Sequence, residues 1–442
     1  MAAQPACAAV SEAEAKRLEG DLTPMGAQRA GNAAGTIPAW DGGLTAPPSG
    51  IGYEPGKHHP DPFAADKPLF TITAANMAQY DAQLTDGYRA LLAAYPDTYL
   101  MHVYPSRRSC AFPEHVYQAV KRNAAAGRLA NDGHSVTGAM MAAPFPIPQS
   151  AVEVLWNNEL NYRGYKVSRE NVAAAPTNGG DFTLELSRVQ SISEWSNPAR
   201  HNVGELNNVI FNFMKVGIKP PSNAGSVLLM HNTLDQVSEM ANAWIYRPGE
   251  RRVKRLAGSA YDNPFPGSEG IRTNDNIEVF SGATDRYDWE LKGKQEKIVA
   301  YNTYRLASND YQYKDILHKG HLNPELLRYE LHRVWVVEGK LKAGKSHAIA
   351  ARRVHYQDED SWVTLTTTLF DANDRIARVQ EGHALNYYEQ PLCFFSSNIV
   401  YDMNGGSYHI MGLRNQESEV DFSPDIDPKI FSPDAMRRIG AR

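Results

Sequence analysis

Tyr329-Glu330-Leu331-His332-Arg333-Val334-Trp335-Val336-Val337 is the stretch from which the fold is read. Tyr329, Leu331, Trp335 and Val337 share one face at period two, with Glu330 and His332 opposite, which is the pattern of a strand. The same signal recurs on either side. Phe182, Leu184 and Leu186 alternate with Thr183, Glu185 and Ser187, and Val227 to Met230 is a short apolar run. Ala243-Trp244-Ile245-Tyr246 and Arg252 to Leu256 flank Arg247-Pro248-Gly249-Glu250, a hairpin turn. Ile277 to Phe280, Lys297 to Tyr301, the Thr-rich Trp362 to Phe370, and Arg375 to Gln380 read as further strands. Helical crossovers of a dozen residues are missing between most of these runs, so the sheet is expected to be antiparallel. The class is mainly β with helices, α+β.

Outside this region the pattern changes. Residues 1–72 carry repeated Pro and Gly, which break regular structure, and isolated Trp40 and Tyr53 suggest an extended arm laid over a domain. Residues 73–149 read as a helical segment packing on the sheet. Thr73 is the expected N-cap of a first helix, with Met77, Tyr80, Leu84, Tyr88, Leu91 and Leu92 near a 3.6 period, stopped at Tyr95-Pro96. Pro113 opens a second helix that Gly127 closes. Ser150 and Glu153 form a capping box for a third, carrying Val152, Leu155, Trp156 and Leu160. The sheet core is expected over residues 150–390, and residues 391–442 as a looser C-terminal extension.

The composition is that of a soluble globular chain. Its 442 residues are 42% hydrophobic and 21% charged, with a formal net charge of −5. That balance, with no Lys/Arg block, argues against a nucleic-acid partner. No window approaches the ~18–20 apolar residues of a membrane span. Three cysteines leave two readings open: unrelated thiols, or Cys110 paired with Cys393 in an oxidising compartment with Cys7 left over. Gln4-Pro5-Ala6 is a poor motif before a lipid-anchored Cys7. The Ala-rich start has no charged opening and no apolar core, so either the protein is cytoplasmic or a signal has been removed.

Catalytic motifs fail on context. Gly339-Lys340-Leu341-Lys342-Ala343-Gly344-Lys345-Ser346 satisfies the P-loop pattern. Bulky residues fill it, however, and a return strand rather than a helix is expected after it, so it reads as a hairpin tip. His318 with His321, and His58 with His59, lack the Cys or carboxylate partners of a zinc site. Asp358-Glu359-Asp360 lacks a calcium-loop spacing and reads as a charged hairpin loop. No G-x-S-x-G elbow is present. No cofactor or metal is expected. The aromatic strands remain: Trp244, Tyr246, Trp335 and Trp362, with Trp156 on its helix, either fill a closed core or line a greasy cavity between a curved sheet and its helices.

Four sets of residues carry a family resemblance. They are Leu22-Thr23-Pro24-Met25-Gly26-Ala27 with Ala30-Gly31-Asn32 and Gly35-Thr36-Ile37-Pro38-Ala39-Trp40; Tyr104-Pro105-Ser106-Arg107-Arg108-Ser109; Tyr329 to Glu338; and Asp358-Glu359-Asp360-Ser361-Trp362. Together they resemble a proteobacterial family of unknown function described as outer-membrane lipoprotein-sorting-like. That family is similar to the LolA/LolB carriers, whose fold is an incomplete antiparallel β-barrel closed by helices. The resemblance covers about residues 11 to 410. It implies a periplasmic location with the signal peptide removed, genes beside RND-type exporters and outer-membrane proteins, and a carrier or adaptor role. The expected function is therefore to bind and shuttle a lipid, sterol or hydrocarbon-like molecule between membranes, with Trp156, Leu160, Trp244, Leu331 and Trp335 as cavity wall. The rivals are a non-catalytic scaffold joining an RND-type exporter to an outer-membrane protein, and a hydrolase of a hydrophobic ester using His332 or His383 as base.

Overall fold

The computed structural model describes residues 10–256 and 261–440, so the reading of Cys7 lies outside the described residues. The strands are β1 (Phe70–Ile72), β2 (Met101–Tyr104), β3 (Arg128–Ala130), β4 (Ser135–Thr137), β5 (Lys166–Ala174), β6 (Leu184–Ser193), β7 (Val209–Lys219), β8 (Val227–Thr233) and β9 (Asn242–Arg247). They continue as β10 (Arg252–Leu256), β11 (Tyr287–Ala300), β12 (Tyr329–Leu341), β13 (Arg352–Asp358), β14 (Thr364–Phe370), β15 (Ile376–Tyr387), β16 (Leu392–Asp402) and β17 (Ser407–Leu413). The helices are α1 (Glu12–Ala15), α2 (Asp86–Ala94), α3 (Glu114–Ala126), α4 (Ala151–Glu159), α5 (Tyr304–Ala307), α6 (Tyr313–Ile316) and α7 (Pro433–Gly440).

Fifteen strands make one sheet, in the order β1-β2-β12-β13-β14-β15-β16-β17-β5-β6-β7-β8-β9-β10, with β11 alongside β12. Every pair is antiparallel except β2 with β12. Two hairpin meanders, β12–β17 and β5–β10, are thus spliced where β17 meets β5. The outer strands β10 and β11 do not pair with each other, so the sheet stays open. Register shifts at Met411/Leu413, Leu186/Ser187 and Val209/Phe211 mark bulges, which bend strands and increase twist.

Several expected boundaries move. The sheet runs past residue 390: β16 and β17 lie at its middle, because their apolar residues, such as Ile399, Val400 and Ile410, are buried on both faces. The segment expected to be helical also contributes β2 and the β3–β4 ribbon. Its first helix starts at Asp86, not after Thr73, because the Thr85 side chain accepts from the Tyr88 N–H and so provides the N-cap. Ser150 likewise caps α4 by accepting from the Glu153 N–H. Ile277 to Phe280 form no strand; Glu278 and Val279 take φ of 51° and 70° and turn the chain. Trp362, at φ 64°, is likewise a turn residue before β14. Gly339 to Ser346 runs from the end of β12 into the β13 hairpin, with Lys340 opposite Arg352 and no helix after it.

The face expected to be polar on β12 is buried as deeply as the apolar one. Glu330 and His332 are 0% and 1% exposed. They belong to a charge network built from the motif blocks. Arg108 grips Asp360 through two hydrogen bonds of 2.9 and 2.6 Å. Arg333 donates to Glu359 at 2.6 Å, and Lys294 reaches the same carboxylate at 2.8 Å. Arg328 bridges Glu330 at 2.6 Å and Asp66 at 2.8 Å. Asp358-Glu359-Asp360, expected as a solvated loop, is therefore interior: opposite charges close by allow its carboxylates to stay there.

The same guanidinium groups anchor the N-terminal segment, which lies across the sheet. Arg333 donates to the carbonyls of Gln28 and Ala30 and Arg108 to those of Arg29 and Pro38, while the Trp362 indole N–H donates to Met25. The structure also joins Cys110 to Cys393, 283 residues apart. Replacing Asp360 by Ala strands Arg108 in the interior and should lower the unfolding free energy by about 3–5 kcal/mol. Asp21→Ala, at the exposed Arg17 pair, should leave the urea midpoint unchanged.

Candidate functional site

A cavity of ≈ 490 Å³ opens on one face of the β5–β10 meander. Cross-strand register builds its floor. One row runs Arg169, Val189, Lys215, Leu228, Ile245 and Lys254 across β5 to β10. The neighbouring row runs Val167, Ser191, Phe213, Met230, Ala243 and Leu256. Residues paired in register point to the same face, so each row is a line of side chains on one surface. Phe394 and Phe395 of β16 and Met411 of β17 close one wall. Leu160, just after α4, and the 261–282 segment with Phe265 and Ile277 supply the cover.

Of the five residues expected to line a cavity, the structure places Leu160 there. The others are elsewhere. Trp244 follows Ala243, and period-two alternation sends it to the back face, where it packs on His231 and beside the α7 cluster. Trp156 packs with Trp195 and Leu206, its indole N–H donating to Gly133 at 2.9 Å. Leu331 packs against the core under α2, near Tyr88 and Tyr329. Trp335 stacks on Trp362 with ring centres 6.2 Å apart, beneath the Lys294 ammonium. Tyr246 and Trp362 are likewise core. The actual lining uses Phe211, Phe213 and Met230, whose alternation along β7 and β8 was the available signal.

Neither expected base lies at the cavity. His383 is fully buried, burial pushes its pKa down to about 3, and neither ring nitrogen makes a hydrogen bond, the Glu381 carboxylate lying 3.6 Å from Nε2. His332 is held by Glu330 at 3.0 Å and stacked on Tyr301 at 3.9 Å. His321 bonds Thr98 and a backbone carbonyl, while His59 sits between Glu389 and Glu419.

Charge within the cavity is lopsided. Among the described residues the cavity face carries the cationic residues Arg163, Arg169, Lys215 and Lys254 and two carboxylates, Glu159 and Glu278, while Arg255, in register with Trp244, sends its side chain to the back face. Arg163 pairs with Glu278 at 2.5 Å. Enclosure pushes Glu159 up to about 7; the Arg163 charge opposes the rise and Glu278 adds to it. Its Oε2 has no hydrogen-bond partner.

The fold is thus an open, bent, mainly antiparallel sheet that carries a covered pocket of small-molecule size on one face. Residues 71–437 match the family described as protein of unknown function (DUF1329). The chain is 41% identical over 436 residues to the uncharacterized protein PA3922 of Pseudomonas aeruginosa, covering 98% of this chain and 95% of that one. This chain belongs to the DUF1329 family. Among solved structures it is similar to a DUF1329 family protein from Desulfovibrio piger, at 15% identity and a TM-score of 0.42, over 62% of this chain and 92% of that one. An outer membrane lipoprotein-sorting protein domain from Vibrio parahaemolyticus aligns at 13% identity and TM-score 0.42, over the same shares. The LolA superfamily protein NE2245 from Nitrosomonas europaea aligns at 13% and 0.38, over 65% and 99%. Among the described residues no helix is long and apolar enough to cross a membrane.

Glu159 gives a pH test. Its folded pKa lies above the unfolded value, so its contribution to stability is complete below about pH 4.5 and is lost as pH rises through 7. Glu159→Gln should therefore unfold with the wild type at pH 4 and be more stable by about 1–3 kcal/mol at pH 8, read by urea titration.

Proposed function

We propose that this protein is a periplasmic carrier that binds a hydrophobic molecule and moves it between the inner and outer membranes without chemical change. The observation that carries this reading is the cavity: ≈ 490 Å³ in volume, floored by Phe211, Phe213, Leu228 and Met230, and covered by a segment rather than sealed by the sheet. Burying apolar ligand surface there yields ~25 cal/mol per Å². A lipid, sterol or hydrocarbon-like molecule satisfies that requirement without any reacting group in the protein. The Cys110–Cys393 link fits an oxidising compartment such as the periplasm. Delivery needs a membrane partner, for which an RND-type exporter or an outer-membrane protein is the proposed class.

Native mass spectrometry of protein isolated from the periplasm, followed by organic extraction, tests the reading. A co-purifying lipid-like mass supports it. An apoprotein that also fails to take up the neutral probe N-phenylnaphthylamine removes it in favour of a scaffold. Phe213→Arg should weaken that probe at least about tenfold, because a cation in the apolar part of the floor must be desolvated when the ligand enters, with the far-ultraviolet circular dichroism unchanged.

A further inference from the structure

Arg169 and Lys215 stand on the cavity floor in the same cross-strand row, joined through Val189. Two strand spacings put their backbones roughly 10 Å apart, within reach of one head group for side chains of this length. Among the described residues neither side chain makes a hydrogen bond, nor an ion pair within 4 Å. The nearest opposing charges act from further off: Glu278 on Arg169, and Glu185 on Lys215. Glu278 is already committed to Arg163.

Fully buried arginines elsewhere in the molecule have partners. Arg108, Arg333, Arg353 and Arg414 are each paired with a carboxylate. Arg272, with no acid, is satisfied by His409 Nδ1, by Asn398 Oδ1 and by the carbonyls of Asn276, Asn398 and His409. Arg169 and Lys215 are half-buried, with their cationic ends open to the cavity and not sealed in the core, and this partial burial pushes the pKa of both down. Two such groups in one row, both facing the same cavity, form a feature of that cavity rather than of the core.

The surroundings are amphipathic. On one side of the charged row lie Asn171 and Ser187, paired in register and lining the cavity. On the other lie Phe213 and Met230, then Phe211. A ligand fitting this floor has a compact anionic end beside Arg169 and Lys215 and an apolar body over the phenylalanines. A plain hydrocarbon would leave both cations dehydrated and unpaired.

We infer that the cavity selects an acidic amphiphile, a molecule with a carboxylate or phosphate head and an apolar tail, and that Arg169 and Lys215 form its head-group subsite. This rests on the carrier reading above and specifies its ligand.

The test compares dansyl-undecanoic acid with its methyl ester, titrated into the full-length protein by fluorescence. Charge-assisted hydrogen bonds imply that the acid binds at least about tenfold tighter than the ester. In the Arg169→Met, Lys215→Met double variant the acid should fall to the ester's affinity while the ester binds no worse. The variant should melt no lower than the wild type, since it loses two half-buried cations and neither a side-chain hydrogen bond nor an ion pair. Equal affinity of acid and ester for the wild type, or a preference for the acid that survives the double substitution, overturns the head-group subsite and leaves the carrier standing. Binding of neither probe, with N-phenylnaphthylamine also rejected, overturns the carrier itself. Inorganic phosphate and acetate identify the source of recognition. Displacement of the acid at millimolar levels of either would show a site for free anions and overturn the amphiphile, whereas no displacement supports it.

Discussion

Arg108 lies only 5% exposed between the N-terminal segment and the β13–β14 turn, and its pairing with Asp360 is the constraint on which the surrounding architecture depends. A guanidinium in such a place is tolerable only when its donors are used. Two go to the carboxylate and others to carbonyls of the N-terminal segment, so the ion, the turn and the segment must be correct together. Arg333 and Glu359 repeat the arrangement one step along. This explains why a segment rich in Pro and Gly has one path across the sheet although it has few ladder hydrogen bonds of its own.

With that end fixed, the far meander is free to bend away. The β17–β5 pairing is short, engaging Val172, Ala173 and Ala174, and is followed by bulges in β6 and β7. One face of β5–β10 packs on the C-terminal segment through Met214, Leu229, Trp244 and Met436. The opposite face looks across the cavity toward Phe394 and Phe395. Strand alternation thus divides the work: the back face packs on the C-terminal segment, and the cavity face mixes phenylalanines with cations.

The strands and the antiparallel sheet were legible because β-branched and aromatic residues recur at period two between strong turns, as at Arg247 to Glu250. The P-loop match was rightly read as a hairpin because its flanks are strand-like. What escaped the sequence was long-range. Glu330 bonds its near neighbours Arg328 and His332, a pattern that a solvated strand face shows equally well, and the residues that bury the pair, Asn302 and Tyr301, come from the loop after β11. Trp244 and Trp335 lie on aromatic strands, yet a two-residue period cannot tell which side of a sheet carries a cavity. Arg169 and Lys215 read as ordinary solvent-facing charges until strand register places them in one row.

The link between Cys110 and Cys393 spans most of the chain and sits next to Phe394 on the cavity wall. It makes the polypeptide topologically a large closed loop with two tails. A protease that cuts once anywhere between those cysteines, for instance in the cover over the cavity, therefore opens the loop without separating its halves. The nicked chain keeps both fragments covalently together, and its loss of continuity shows only when a reductant is added.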